Sequence, residues 1–330
     1  MSFPPTLSLR SPADVVAAVP YLLGFRPDDA SIVVIVTDGR RVVFVARTDL
    51  PAPDAPDQEI RDLAGQLIRV VRRQRAVTDL VIVGYGDADH VDAALHAVNE
   101  AVTAADMTVR DLLRVTGSRW VSLLCRNRAC CPPQGTPFDP TASLIAVQAT
   151  AAGLVAFADR AAVASRFAPV DGAARDRMRQ ATDQAVLRLE RMLAAGTPVD
   201  DAGAQAVGEA LRRHDGSLSD NEVAWLTVLL ARPSVRDRAV ELTEPTDRHV
   251  TFWADVTRRA AEPLVCAPAT LLAFAAWRCG DGALAVMAAE RALQVDPAYR
   301  LADLLLQALR AGLPPATVAQ VTDRTDPSTR

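Results

Sequence analysis

The sequence predicts an α/β amino-terminal domain on a mixed sheet of about five strands, then an all-α carboxy-terminal domain containing a tetratricopeptide-like helical hairpin. Three observations carry that expectation. A chain of 330 residues exceeds what one hydrophobic core ordinarily holds, so two cores are expected. Up to about residue 124, β-branched runs alternate with stretches of helical periodicity. Beyond a proline-dense stretch ending at Pro140, nearly every segment has helical spacing and helix-capping residues.

Taken in order, Ser11-Pro-Ala-Asp14 is a capping box with proline at the first helical position, which predicts a short helix from Pro12 to about Val19, ended by Pro20 and Gly24. Ser31 to Val36 and Val42 to Ala46 are nearly continuous apolar runs joined through Asp38-Gly39, the composition of a hairpin of central strands buried on both faces. Asp57 opens a helix whose Ile60, Leu63, Ala64, Leu67, Ile68 and Val71 keep one buried stripe. Leu80 to Val83 reads as a third strand, leading through Gly84-Tyr-Gly86 into a helix with Val91, Leu95, Val98 and Val102 on one face. Val109 to Val115 and Trp120 to Leu124, separated by Gly117-Ser118, make a final hairpin.

The domain boundary is expected in Cys130-Cys-Pro-Pro-Gln-Gly-Thr-Pro-Phe-Asp-Pro140, where four prolines and a glycine exclude a helix or a central strand. The spans are 1–132 for the α/β domain, 133–141 for a rigid connector, 142–315 for the helical domain and 316–330 for a flexible tail. Within the helical domain, Ser219-Asp-Asn-Glu222 and Ser234-Val-Arg-Asp237 read as capping boxes, and Gly196 and Gly312 stand where helices end. Leu272, Ala273, Ala276, Ala285, Ala289, Ala292 and Pro297 put small residues where two antiparallel helices touch, giving one repeat-like unit over 266–299. One unit cannot bury its own face, so it must stack on preceding helices and on Tyr299 to Leu309.

Composition restricts the function classes. The formal charge is −4 with both signs interleaved, all the basic residues are Arg, and no basic field forms, so nucleic-acid binding is disfavoured. The one local basic run, Arg69, Arg72, Arg73 and Arg75, falls at a helix end, where the dipole favours cations. No stretch reaches the ~20 apolar residues of a spanning helix, and Met1 to Pro12 has no signal-peptide core, so no membrane partner is expected. Five cysteines, three of them clustered, do not read as a secreted disulfide framework, and reduced thiols in the cytoplasm are expected.

Four ordered stretches, Pro20-Tyr-Leu-Leu-Gly-Phe-Arg-Pro-Asp-Asp29, Arg47-Thr-Asp-Leu-Pro51, Cys130-Cys-Pro-Pro-Gln-Gly-Thr-Pro137 and Gly280-Asp-Gly-Ala-Leu-Ala with Asp296-Pro297, together resemble the actinobacterial family named domain of unknown function 4192 (DUF4192). The resemblance runs from Leu7 to Pro315. It implies the two-domain organisation and supplies no reaction, substrate, cofactor or active site.

Two constellations are candidate sites. Cys125, Cys130 and Cys131 could converge at a strand end, where thiolates bind soft metals or attack electrophiles, although the spacing is no standard zinc pattern. The alternative is packing, with Cys125 on the inner face of the sheet and the other two beneath the proline-stiffened turn. Arg47 and Asp49 end a strand, and Arg26, Asp28 and Asp29 lead into its hairpin partner, so a polar ligand site or a structural ion-pair network is expected at one rim of the sheet. Gly84-Tyr-Gly86 before a helix lacks a full phosphate-loop fingerprint, and Asp87 and Asp89 occupy that helix start as caps. The four histidines are scattered, and no Ser/His/Asp order or metalloprotease helix occurs.

The leading expectation is a cytoplasmic, non-enzymatic interaction or regulatory protein that binds a protein partner through its helical domain. The alternative is an enzyme or a small-ligand or metal sensor using the Arg47/Asp49 rim and the Cys130-Cys131-Pro-Pro turn.

Overall fold

A computed structural model describes residues 7–74, 77–213 and 218–315. Arg75 and the expected tail 316–330 lie outside the described residues. The chain forms two compact units, and the described parts of the first are residues 7–74, 77–160 and 311–315, while those of the second are 161–213 and 218–310. The proline-dense stretch 133–141 therefore lies within the first unit rather than between the two.

The first unit is a six-stranded mixed sheet with helices on both faces. Its elements are α1 (Pro12–Leu23), β1 (Ser31–Thr37), β2 (Val42–Asp49), α2 (Asp57–Val71), β3 (Asp79–Tyr85), α3 (Ala88–Thr103), β4 (Thr108–Thr116), β5 (Arg119–Ser122), β6 (Thr136–Pro137) and α4 (Leu144–Ala151). The strand order is β2-β1-β3-β4-β5-β6, and only β3 and β4 run parallel, joined by α3 as a crossover. The sixth strand is the two-residue β6, which pairs with β5 and places proline where its missing N–H is tolerated, at a sheet edge.

Alternation along the strands fills two cores. Ile32, Val34, Leu80, Ile82 and Leu112 face α2 and α3, where they meet Leu67, Val71, Val91, Leu95 and Val98. Val33, Val81, Val83, Tyr85, Leu113, Val115 and Trp120 face α1, which contributes Val16 and Val19. Three expectations change. The β1–β2 hairpin is not central as a pair: β1 is buried along almost its whole length, whereas β2 is an edge strand with mostly half-buried residues. The first helix passes through Pro20 to Leu23, because proline removes a single helical hydrogen bond while Val19 and Pro20 are buried by the core. Asp87 occupies the N-cap of α3 without a side-chain hydrogen bond to it, so that helix is not capped as expected.

Gly84-Tyr-Gly86 has a packing explanation. A Cβ at Gly84 would lie 2.3 Å from Val91 Cγ1 and 3.1 Å from two atoms of Leu95, so glycine is what lets α3 seat on β3.

The second unit is helical, with α5 (Arg160–Ser165), α6 (Gly172–Ala194), α7 (Val199–Arg212), α8 (Asp220–Leu230), α9 (Pro233–Leu242), α10 (Asp247–Arg259), α11 (Cys266–Arg278), α12 (Gly282–Val295) and α13 (Arg300–Arg310). Ser219 and Glu222 form the capping box expected at α8. Ser234 does not cap, since α9 starts at Pro233. α11 and α12 pack along each other, and Ala273, Ala276, Ala285 and Ala289 on them are fully buried. Trp253 is enclosed, and its indole N–H donates to Thr243 Oγ1 at 3.0 Å. Buried His249 accepts the backbone N–H of Glu244 on Nδ1 at 2.8 Å; burial, together with Arg248, holds its pKa below the ordinary value against the opposing pull of Glu244.

Candidate metal centre and sheet rim

The thiol centre is assembled by the chain that leaves β5. Ser122, the last residue of that strand, donates from Oγ to Asp111 Oδ1 at 2.6 Å and accepts the backbone N–H of Cys125 at 3.2 Å. Asp111 is in turn fixed by the N–H of Leu112 at 2.9 Å. Two residues beyond Cys125, the carbonyl of Asn127 accepts from the N–H of Cys130 at 3.1 Å and of Cys131 at 2.8 Å, while its side chain accepts from Ala129. This tight turn folds Cys130 and Cys131 back over Cys125.

The three sulfur atoms consequently all lie within 4.8 Å of one another. Cys125 and Cys131 are half-buried and Cys130 is exposed, so the trio is open on one side. Cys131 packs against the core under α1, but Cys125 does not fill the inner face of the sheet. The thiols are inequivalent. The backbone of Asn127, then the thiol of Cys131, holds Cys125 below the usual thiol range, whereas desolvation and the neighbouring thiols push Cys131 up. Cys125 is therefore the first of the pair to become thiolate.

A tetrahedral ion with metal–sulfur bonds of about 2.3 Å needs sulfurs roughly 3.8 Å apart, and a trigonal one roughly 4.0 Å. The trio reaches that spacing with sulfur displacements of at most about 1 Å, within what side-chain rotation at an exposed turn supplies. Among the described residues this is the one group of three or more Cys, His, Asp or Glu side chains with ligand atoms so close together.

At the opposite edge of the sheet, Arg47 on β2 pairs with Asp49 at 2.7 Å and with Asp28 at 3.7 Å. The Arg47 side chain is 7% exposed while Asp28 and Asp49 are 56% and 70% exposed, so a sequestered guanidinium is covered by two solvated carboxylates. Arg47 also sits 6.0 Å over the ring of Phe25. Arg26 is exposed and contributes its charge to Asp139, whose acidity is raised first by the hydroxyl of Thr141. The rim is thus an ion-pair arrangement of Arg47, Asp28 and Asp49.

The structure brings the three cysteines together and brings Arg47 together with Asp28 and Asp49. It does not join the two groups. Four strand intervals of about 4.8 Å separate β2 from β5, roughly 19 Å across the sheet, so rim and thiols cannot share one small ligand. The basic run has structural partners: Arg73 donates to the carbonyl of Ala311 at 2.7 Å, and neighbouring Gln74 donates to that of Gly312 at 2.8 Å.

Sequence reasoning overlooked Ser122, Asp111 and Asn127, which position the thiols. One signal was legible: in Val109-Arg-Asp-Leu112 a carboxylate interrupts an apolar strand, and a charge on the inward face asks for a partner. In the helical unit, α6, α7 and α8 line a groove of about 360 Å³ in which the Arg188 guanidinium lies 4.1 Å from the Trp225 ring, beside Gln205, Glu209 and an Arg213–Glu222 ion pair. Leu187 and Leu193 of α6 are exposed.

A family described as Domain of unknown function (DUF4192) matches residues 12–316 of the chain. No curated protein and no solved structure matches it. No helix among the described residues is long and apolar enough to cross a membrane.

Proposed function

The chain belongs to the DUF4192 family, and because that membership assigns no reaction, we propose a function from the site itself: the protein binds one thiophilic metal ion, Zn(II) or Cu(I), through Cys125, Cys130 and Cys131. The role is binding and sensing rather than turnover. The observation that supports it is the approach of three sulfurs to within 4.8 Å across a turn closed by Asn127. Soft thiolate sets select such ions, and three protein ligands leave a coordination position for an exchangeable ligand. Exposed Cys130 gives the ion its way in and out. The reading requires reduced thiols and so a reducing compartment, the cytoplasm.

The test is metal content and affinity. Protein prepared without chelators or a metal column should carry about one equivalent of Zn or Cu, and Cys130→Ser/Cys131→Ser should carry none while keeping its fold. A metal-free wild type that also fails to take up Zn(II) or Cu(I) under reducing conditions overturns the proposal.

A second reading concerns the helical unit. We read α11 and α12 as a tetratricopeptide-like hairpin stacked on α13, and the unit as a surface for a protein partner. Exposed Leu187 and Leu193 on α6, the helix whose Arg188 stacks on Trp225 in the groove, favour it, because exposed apolar side chains and aromatic anchors are typical of binding patches. Leu187→Asp/Leu193→Asp should abolish a native partner's co-purification without changing helix content; unchanged recovery of that partner refutes this use of the surface.

A further inference from the structure

We infer a second, independent binding site at the carboxyl ends of β3 and β4, under α1, formed by Tyr85, Trp120 and Thr136 and suited to a small neutral molecule bearing carbonyl or hydroxyl oxygens. The register aligns these residues. Tyr85 on β3 pairs with Val115 on β4, Val115 with Trp120 on β5, and Trp120 with Thr136 on β6. Residues paired across a sheet project to the same face, here the one covered by α1, where Tyr85, Val115 and Trp120 share one core cluster.

Three polar atoms in this one row are buried and have no hydrogen-bond partner: Tyr85 Oη, Trp120 Nε1 and Thr136 Oγ1. Tyr85 is 8% and Trp120 7% exposed, so neither side chain is free to turn to bulk solvent. Isolated lapses of this kind are ordinary; three within one four-residue row, on either side of Val115, are not, because a buried donor without an acceptor costs free energy. Tyr85 and Val115 stand at the carboxyl ends of the two parallel strands, the end of the sheet at which α/β folds bind ligands.

The chemistry of the row selects the ligand. Indole Nε1 can only donate, and the two hydroxyls can donate or accept, so the complement is an oxygen-rich molecule. Burial pushes the Tyr85 phenol above its ordinary range, which keeps it a neutral donor. An anion is disfavoured, since Arg47, whose buried Nε has no partner, already pairs through its terminal nitrogens with Asp28 and Asp49, and Asp87 follows β3 at the same end. Two strand spacings, about 10 Å, separate the backbones of Tyr85 and Trp120, with Val115 between them.

The experiment uses the full chain, 15N-labelled, with the Trp120 indole resonance assigned by its loss in Trp120→Phe. Acetamide and glycerol are titrated as neutral probes and acetate as the charged control. The expected result is a saturable shift of the Trp120 indole with a neutral probe, an affinity about fivefold weaker in Tyr85→Phe for the loss of one hydrogen bond, and no comparable shift with acetate. The site is overturned by an unmoved Trp120 indole, by equal affinity in Tyr85→Phe, or by a Tyr85→Phe protein that unfolds without ligand, which would mean that the hydroxyl serves the fold. Acetate binding as tightly as the neutral probes overturns the ligand class. The metal centre is read by a different nucleus and different residues, so either proposal stands or falls alone.

Discussion

Replacing Gly84 with alanine tests whether the glycines before α3 exist for packing. The added methyl would stand 2.3 Å from Val91 Cγ1 and 3.1 Å from Leu95, against an ordinary carbon–carbon contact of about 3.5–4.0 Å. Val91 and Leu95 are fully buried, so neither can swing away and α3 must lift by about 1 Å or more. Overpacking of this kind costs about 1–3 kcal/mol, and the reduced freedom of the unfolded chain returns about 0.4–1 kcal/mol. The net loss of roughly 1–2 kcal/mol converts, at about 2–4 °C per kcal/mol for a unit of this size, into a midpoint lowered by roughly 2–8 °C. Calorimetry reads the midpoint, and hydrogen exchange in β3 and α3 attributes the loss to the first unit. Val91→Ala in the same chain should recover much of it, giving a favourable coupling energy. A Gly84→Ala protein with the wild-type midpoint would refute the packing account and return the loop to consideration as a ligand cradle.

Three further outcomes are expected. Arg259 donates to the carbonyl of Leu218 and to Asp220, both at 2.6 Å, and to Asp255 at 3.1 Å while its side chain is 12% exposed, so Arg259→Ala should cost the helical unit about 2–4 kcal/mol in urea unfolding; a loss below about 0.5 kcal/mol would reduce the network to decoration. The pKa of His249 is lowered in the fold, so the unfolded chain binds its proton first; its contribution is complete above the unfolded value of about 6.5 and is lost as pH falls through and below it. The midpoint should therefore drop between pH 7.5 and 5.5, and drop less in His249→Gln; identical pH profiles would exclude His249 as the cause. Alkylation by iodoacetamide in the metal-free, reduced protein should be faster at Cys125 than at Cys131, following their opposite shifts, and mass spectrometry that finds Cys131 modified before Cys125 contradicts the assigned order.

Most elements were legible because burial period and capping residues are local properties. The helix over Asp57–Val71 follows directly from its apolar stripe, and the Ser11 and Ser219 boxes close as their spacing requires. Sheet order is not local. Nothing in Val42 to Asp49 announces an edge strand, since its apolar residues suit a half-buried position as well as a central one, and so the distance between Arg47 and the thiols could not be read. The cysteine turn lies between these extremes. Proximity in sequence put three thiols within reach, but their convergence depends on one asparagine carbonyl receiving two N–H groups, and on a Ser122–Asp111 contact between neighbouring strands. The unpartnered row of Tyr85, Trp120 and Thr136 was invisible for the same reason: only the strand register aligns them.

The most direct measurement is native mass spectrometry with elemental analysis on protein purified under reducing conditions without chelators or a metal column, comparing wild type with Cys130→Ser/Cys131→Ser. The account predicts about one Zn or Cu per chain in the wild type, lost in the variant and restored to the wild type alone by adding Zn(II) or Cu(I) after chelation. A wild type that remains metal-free after that addition, or a variant that retains its metal, would contradict it.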